Sequence, residues 1–500
     1  MEAKLPSVCI IGAGSSGIAA CKAFKEKGIP YQCYEASDQI GGNWVFKNPN
    51  GMSSAYRSLH INTSREKMAF SDFPMPTDYP DFPSHELIAD YFNDYVNHFG
   101  IRDSITFNTK VVHCARTESG CWRVELDNGD SHEYDVLIVA NGHHWDPRWP
   151  DPAFPGEFNG QQIHSHHYID ATDPLDFRDK NVVIVGMGNS AMDIACELGR
   201  KGVAKNVFLS VRRGTHIVPK YFGSDPLDFR FRHPAEKPGL LEYITDKVPY
   251  QWLEKTLIPL LAREVKHRVG SPEDYGLPKP QHSFGRTHPT ISDEIHIRLG
   301  SGDVLPKPNI KRLAGDEVEF VDGSREAVDI IIYSTGYKIT FPFFDQSFIA
   351  AQDNDIALYQ RMVDPKYPNL LFLALVQPLC AMMPIAEMQS QWMADYLIGK
   401  YHLPDTATMV ETMFNEHQAM KSRFVDSKRH TIQIDCIQYT FNLRKEWRQG
   451  AKRARKAGFQ LPIKANAKTN ISAKNLKALE PVSEQNPEFG NAQAHKHTPA

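Results

Sequence analysis

The run Ser7-Val8-Cys9-Ile10-Ile11-Gly12-Ala13-Gly14-Ser15-Ser16-Gly17 joins a short apolar stretch to a glycine turn near the start of the chain. A second run of the same grammar, Asn181-Val182-Val183-Ile184-Val185-Gly186-Met187-Gly188-Asn189-Ser190-Ala191, stands far downstream. In each, the first Gly permits a tight strand-to-helix turn, and the second lets backbone approach a pyrophosphate. The third, or a small Ala, lets helix and strand pack closely. An anion held there meets unpaired amides and the positive end of a helix dipole. Helical patterns follow over residues 18–27 and 191–200. One such fingerprint suggests a nucleotide, and two suggest electron traffic between two nucleotides.

The residue ending the second strand of each unit discriminates the nucleotides. The strand 31–34 ends at Glu35, whose carboxylate accepts hydrogen bonds from ribose hydroxyls and would repel a 2′-phosphate. The first site is therefore predicted to hold FAD or NAD. The strand 206–211 instead ends in Arg212 and Arg213, and guanidinium groups match a phosphate. The second site is therefore predicted to hold NADP. Together the sites imply hydride transfer from NADPH to a flavin. Gly41-Gly42-Asn43-Trp44 adds a second tight turn beside the first nucleotide.

Working outward, apolar strand runs alternate with helical patterns, which argues for an α/β fold with parallel sheets covered on both faces. Residues 85–98 carry Leu87, Ile88, Tyr91, Phe92, Tyr95 and Val96 at helical spacing. Residues 134–140, 328–334 and 369–375 read as further strands, and 111–126 as a surface hairpin. The simplest architecture is two Rossmann-type dinucleotide-binding domains, the NADP domain inserted into the FAD domain. The predicted extents are 1–175 and 334–445 for FAD, 176–333 for NADP, and 446–500 for a basic segment and tail.

Within the second domain, residues 219–289 are rich in Pro and aromatics, with helical pieces around 241–262. Tyr221, Phe222, Phe229, Phe231, Tyr243, Tyr250 and Trp252 are candidates for a substrate route there. Residues 464–500 have almost no aromatic content and cannot offset ordering entropy, so they are expected to be disordered. The cluster Lys452-Arg453-Ala454-Arg455-Lys456 reads as a solvated face.

Composition bounds the function. Basic and acidic residues nearly cancel, 56 against 60, so nucleic acid is not suggested as a partner. No metal-like spacing of ligands occurs. The eight cysteines, Cys9, Cys21, Cys33, Cys114, Cys121, Cys196, Cys380 and Cys436, are scattered without a Cys-x-x-Cys pair. They read as reduced, mostly buried thiols of a cytoplasmic enzyme. A flavin-dependent disulfide reductase would need a close redox pair, which disfavours that class. The longest apolar run, residues 370–386, is broken by Gln377, Pro378 and Pro384 and is too short to span a bilayer. No signal peptide or membrane anchor is expected, and the oligomeric state is open, a homodimer included.

Further motifs decide what a reduced flavin does next. Phe158-Asn159-Gly160-Gln161-Gln162-Ile163-His164-Ser165-His166-His167-Tyr168 fits the Phe-x-Gly-x-x-x-His-x-x-x-Tyr signature, and between two nucleotide fingerprints the chain resembles the flavin-containing monooxygenases. The likeness extends to about residue 445 and includes residues 61–66, 70–74 and 333–337. It implies an N,N-dimethylaniline monooxygenase-like enzyme using FAD, NADPH and O2. In that family a C4a-hydroperoxyflavin oxygenates soft nucleophiles, amine nitrogen or sulfide sulfur. Related enzymes insert oxygen into ketones, usually with Trp at the end of the signature where this chain has Tyr168.

The resemblance also implies site residues. Asn62 matches the asparagine beside the flavin and is expected to be the central catalytic residue, because an amide donates and accepts without a titrating charge. Gly12, Ala13, Gly14, Ser15, Ser16, Gly17, Glu35, Gly42, Asn43, Trp44, Thr63, Val111 and Gln377 are expected to line FAD. Ile61, Asn62, Gly186, Gly188, Asn189, Ser190, Ala191, Arg212 and Arg213 are expected to meet NADP. Cys380 stands where a Gly is common in the family, near Gln377.

Overall fold

Four consecutive apolar residues with both faces covered make Val8–Ile11 a central strand, and every one of them is buried. The computed structural model describes residues 4–230, 232–237, 255–349, 351–424 and 431–459, with isolated positions at 239, 248, 252 and 461. Val8–Ile11 pairs in parallel with Tyr31–Tyr34 on one side and Val136–Val139 on the other. The sheet has six strands in the order Val363–Asp364, Tyr367–Phe372, Val136–Val139, Val8–Ile11, Tyr31–Tyr34, Ile105–Thr106. Only the edge pair formed by Val363–Asp364 is antiparallel.

Helix Ser15–Glu26 follows the first fingerprint and packs on helix Met382–Leu397, from far along the chain. Helix His85–His98 has the limits its periodicity predicts and buries Ile88, Tyr91, Phe92, Tyr95 and Val96 against the same core. Trp392, Tyr91 and Tyr95 are fully buried there, and side chains of this size contribute about 1.5–3 kcal/mol each.

The second sheet has five strands in the order Gln161–His164, Ile330–Tyr333, Asn181–Val185, Asn206–Ser210, Leu305–Lys307, all parallel. Helix Asn189–Leu198 covers it, with Ala191, Met192, Ile194, Ala195 and Leu198 buried. Because strand Tyr367–Phe372 returns to the first sheet after this unit is complete, the second Rossmann-type unit is inserted into the first. Two small layers flank them: antiparallel Val111–Arg116, Trp122–Leu126 and Ser131–Tyr134, and antiparallel Ile310–Gly315, Glu317–Phe320 and Arg325–Ala327 with Gly156–Phe158 added in parallel.

Two expectations are corrected. Cys380 and Cys436 form a disulfide, their Cα atoms 6.1 Å apart. The other six cysteines are free and buried. The pair escaped sequence reading because it is closed by tertiary packing, so cysteine usage no longer argues for a reducing compartment. The basic cluster 452–456 is not simply a solvated face. It ends helix Cys436–Ala457, where Ala454 is buried and Arg453 lies over the Tyr401 ring, bonding His402 O and Glu446. The helical pieces predicted at 241–262 fall mostly outside the described residues, and the helix that is described there is Leu257–Val269. The tail 464–500 also lies outside the described residues. No helix among the described residues is long and apolar enough to cross a membrane.

Candidate functional site

The first nucleotide cradle is built from close backbone approaches. Gly12 has φ +101°, and a Cβ there would lie 2.7 Å from Ala140 O. A Cβ on Gly17 would lie 1.9 Å from Gly12 O, so only Gly closes this turn. Gly14 faces the Gly41-Gly42 turn, which is held by a bond from Gly41 N–H to Ala13 O at 3.2 Å. Glu35, buried at the end of its strand, accepts from Ala13 N–H at 2.6 Å and from Ser37 N–H at 2.8 Å. Burial pushes its carboxyl above the usual range, and the backbone donors pull it back. The carboxylate retains acceptor capacity for a ribose hydroxyl.

Gly42, Asn43 and Trp44 form one 3₁₀ turn beside Gly14, and Asn43 Oδ1 accepts from both Ser54 N–H and Ser54 Oγ at 2.9 Å. Ser15, Ser16 and Gly17 open the helix that points at the cradle. These residues and Glu35 therefore converge on one site that fits a dinucleotide.

The second cradle repeats the geometry. Gly186 has φ +137°, with a hypothetical Cβ 2.6 Å from Ser334 O. Gly188 caps helix Asn189–Leu198, Ser190 lies in its first turn, and fully buried Ala191 takes the third-glycine position. Asn189 Oδ1 accepts from Ile291 N–H at 2.9 Å, and Thr290 Oγ1 donates to Met187 O. Arg212 and Arg213 are exposed immediately after strand Asn206–Ser210, at the end of the strand next to this cradle.

Asn62 sits between the two units, half-buried in the turn before the short helix Arg65–Met68. Its own domain holds the turn by Ile61 N–H to Pro83 O at 3.0 Å and Arg65 N–H to Asp81 O at 2.8 Å. The second unit reaches the same turn. Lys220 Nζ donates to Ile61 O at 3.1 Å, and Asp228 Oδ2 accepts from Ser64 N–H at 2.7 Å. Burial pushes the Lys220 ammonium down, while Asp193 and Asp293 oppose that shift. Asp193, on the second fingerprint's helix, accepts from Tyr56 OH at 2.5 Å. Its carboxyl is pushed up by burial and drawn back by Tyr56 and Lys220.

Two further candidates are held by neighbouring structure. The Val111 side chain points into an apolar cluster with Ile11, Leu126 and Phe343, leaving only its main chain for a cofactor. Gln377 belongs to a two-residue strand pairing with Gln433–Ile434, its N–H bonded to Ile432 O at 2.7 Å, three residues before the disulfide at Cys380. Thr63 is half-buried next to Asn62.

Lys220, Asp228, Tyr56 and Asp193 were not legible as site residues. Their only sequence signal is charge within an aromatic, Pro-rich stretch for the first two, and none for the others. Of the aromatics proposed for a substrate route, Phe222 is buried beneath Arg268, and Tyr221 packs edge-on to Phe82. Phe229 and Trp252 are exposed, and Phe231, Tyr243 and Tyr250 lie outside the described residues.

The signature 158–168 is structural at this junction. A Cβ on Gly160 would lie 2.3 Å from Asp329 O, and strand Gln161–His164 edges the second sheet. Tyr168 is fully buried against Phe177 and Tyr56. His164 is fully buried, its Nδ1 accepting from His166 N–H, and desolvation together with His166 and His167 pushes it down to about 4.

A family model described as flavin-binding monooxygenase-like matches residues 5–452. Flavin-containing monooxygenase 5 of Rattus norvegicus is 36% identical over 445 residues, covering 86% of this chain and 80% of its own. Dimethylaniline monooxygenase [N-oxide-forming] 2 of the same organism is 32% identical over 447 residues, with 86% and 81% covered. The solved structure of an OTEMO complex with FAD and NADP superposes with a TM-score of 0.69 at 18% identity, over 90% of this chain and 98% of that one. The match runs through both glycine cradles and the turn between them, and the chain belongs to the flavin-binding monooxygenase-like family.

Proposed function

We propose that this monooxygenase uses NADPH and dioxygen to oxygenate amine nitrogen or sulfide sulfur, with Asn62 at the reacting centre. The observation that carries the reading is the fastening of the Asn62 turn to both nucleotide units, through Ile61 and Arg65 on one side and Lys220 and Asp228 on the other. Bound FAD supplies the route for electrons from NADPH to oxygen.

The chain's residues provide the rest. Gly12 to Gly17 and Glu35 hold the first nucleotide, and Gly42, Asn43 and Trp44 wall it. Gly186 to Ala191 hold the second nucleotide, and Arg212 and Arg213 select its 2′-phosphate. Asn62 offers a donor and an acceptor without delivering a proton, which suits holding reactive oxygen until substrate arrives. Bound nucleotides covering the half-buried Asn62 turn would exclude water from the reacting centre. The FAD unit comprises residues 1–175 and 334–445, and the NADP unit residues 176–333.

The relative named for N-oxide formation supports the amine substrate class. The test is product analysis with NADPH, oxygen and a panel of one tertiary amine, one sulfide and one cyclic ketone. N-oxide and sulfoxide are expected, and lactone as the sole product would move the assignment to ketone oxygenation. Asn62→Ala is expected to keep FAD and lose at least tenfold in product per NADPH consumed. Unchanged yield would remove its role. Turnover that survives in Cys380→Ser/Cys436→Ser excludes the disulfide as an electron carrier.

A further inference from the structure

The turn that carries Asn62 is gripped from a part of the chain far away in sequence. Its ends are tied within the first domain, but between them the Ser64 N–H donates to Asp228 Oδ2 at 2.7 Å, across 164 residues. The residues flanking the turn are held by the same foreign segment. Lys220 Nζ meets Ile61 O at 3.1 Å, His233 Nε2 lies 3.0 Å from Ala69 O, and Tyr221 OH donates to Asp81 Oδ2 at 3.0 Å.

The chemistry of the central contact is unusual for a packing bond. Ser64 is fully buried, yet its own Oγ has no hydrogen-bond partner among the described residues and caps nothing. Asp228 bonds through one oxygen, while Oδ1 is buried without a partner among the described residues. A buried carboxylate with one oxygen unpaired costs stability. Its bond to the Ser64 backbone N–H is nonetheless short, at 2.7 Å, so it fixes geometry strongly.

We propose that Asp228 is a positioning residue, which sets the Asn62 turn from the domain that binds NADP. This rests on the assignment of Asn62 to the reacting centre. Lys220 and Asp228 both belong to the stretch that follows the second unit's strand Asn206–Ser210, and they hold the turn on either side of Asn62. The Asn62 turn is thereby registered to the second unit, and a displacement of about 1 Å at a reacting centre costs on the order of a hundredfold in rate.

The test uses the FAD-loaded full chain as wild type, Asp228→Ala, Asp228→Asn, Ser64→Pro and Asn62→Ala. Two quantities are measured: amide hydrogen exchange of the peptide spanning residues 61–69, and hydrogen peroxide released per NADPH consumed with substrate present. Asp228→Ala is expected to speed exchange of that peptide at least tenfold and to raise peroxide release to the level of Asn62→Ala. Asp228→Asn, which keeps an acceptor oxygen, is expected to recover most of both. If Asp228→Ala does not retain FAD, Ser64→Pro carries the same expectation, because it removes the donor from the other partner at a φ of −60° that proline adopts.

Unchanged exchange in these variants overturns the clamp. Faster exchange without extra peroxide overturns the positioning role, provided Asn62→Ala itself releases peroxide. If Asn62→Ala releases none, the assignment of Asn62 fails instead, and the exchange result still decides whether Asp228 holds the turn.

Discussion

The two cradles make opposite predictions for the same substitution. In Gly12→Ala the new methyl would sit 2.7 Å from Ala140 O and 3.2 Å from Ala140 C, on a residue whose φ is +101°. In Gly186→Ala it would sit 2.6 Å from Ser334 O at a φ of +137°. An L-residue held at positive φ costs about 1–2 kcal/mol, and relief of the overlap adds about 1–3 kcal/mol. Both neighbours are main-chain carbonyls at the carboxyl ends of adjoining strands and cannot rotate away. Local strain of about 2–5 kcal/mol, taken from nucleotide affinity, weakens binding roughly 30-fold to several-thousand-fold. The assays are the FAD-to-protein ratio after gel filtration and the KM for NADPH. Gly12→Ala should emerge depleted of FAD, and Gly186→Ala should keep FAD while its KM rises. A Gly186→Ala protein that loses FAD, or a Gly12→Ala protein that keeps it with a raised KM, would refute the assignment of the two cradles.

Arg212→Ala with Arg213→Ala should raise the KM for NADPH at least tenfold and leave that for NADH within about threefold, since charge-assisted bonds to a phosphate are worth about 1.5–3 kcal/mol; equal effects on both would remove the phosphate contact. His164 is held near 4 when folded, below its ordinary value of 6.5, so the unfolded chain binds more protons between those values. Stability is then intact above about pH 6.5 and declines as pH falls toward 4, by roughly 3 kcal/mol, and His164→Gln should flatten thermal midpoints across that window. The Cys380–Cys436 link closes a loop with a sequence separation of 56, worth roughly 4 kcal/mol in chain entropy. Reductant should therefore lower the unfolding midpoint of the wild type to that of Cys380→Ser/Cys436→Ser and leave the variant unmoved.

The fingerprints were legible because their requirements are local. Gly12, Gly17 and Gly186 answer to backbone contacts within a strand-turn-helix unit, and Glu35 to the end of the next strand. Buried parallel strands show as unbroken apolar runs, so Val8–Ile11, Asn181–Val185 and Ile330–Tyr333 were visible. Contacts between domains were not. Asp228 on Ser64 and Lys220 on Ile61 join residues 164 and 159 apart, and nothing in their neighbours' identities announces it. Nor does the sequence say that the Val111 side chain packs inward among Ile11, Leu126 and Phe343, because that depends on which face of its hairpin meets the sheet. Arg453 looked like one more solvated charge until helix Cys436–Ala457 laid it on Tyr401.

The order of strands in the first sheet also governs how the chain is made. Val136–Val139 acquires its neighbour Tyr367–Phe372 only after the whole intervening unit has been synthesised. At about 5–20 residues per second, a nascent chain waits roughly 10–50 s with that strand edge bare, while the inserted unit already has all five of its own strands. The nicotinamide half can thus mature on the ribosome ahead of the flavin half. Truncations before Tyr367 leave an open sheet edge, which makes them prone to aggregate.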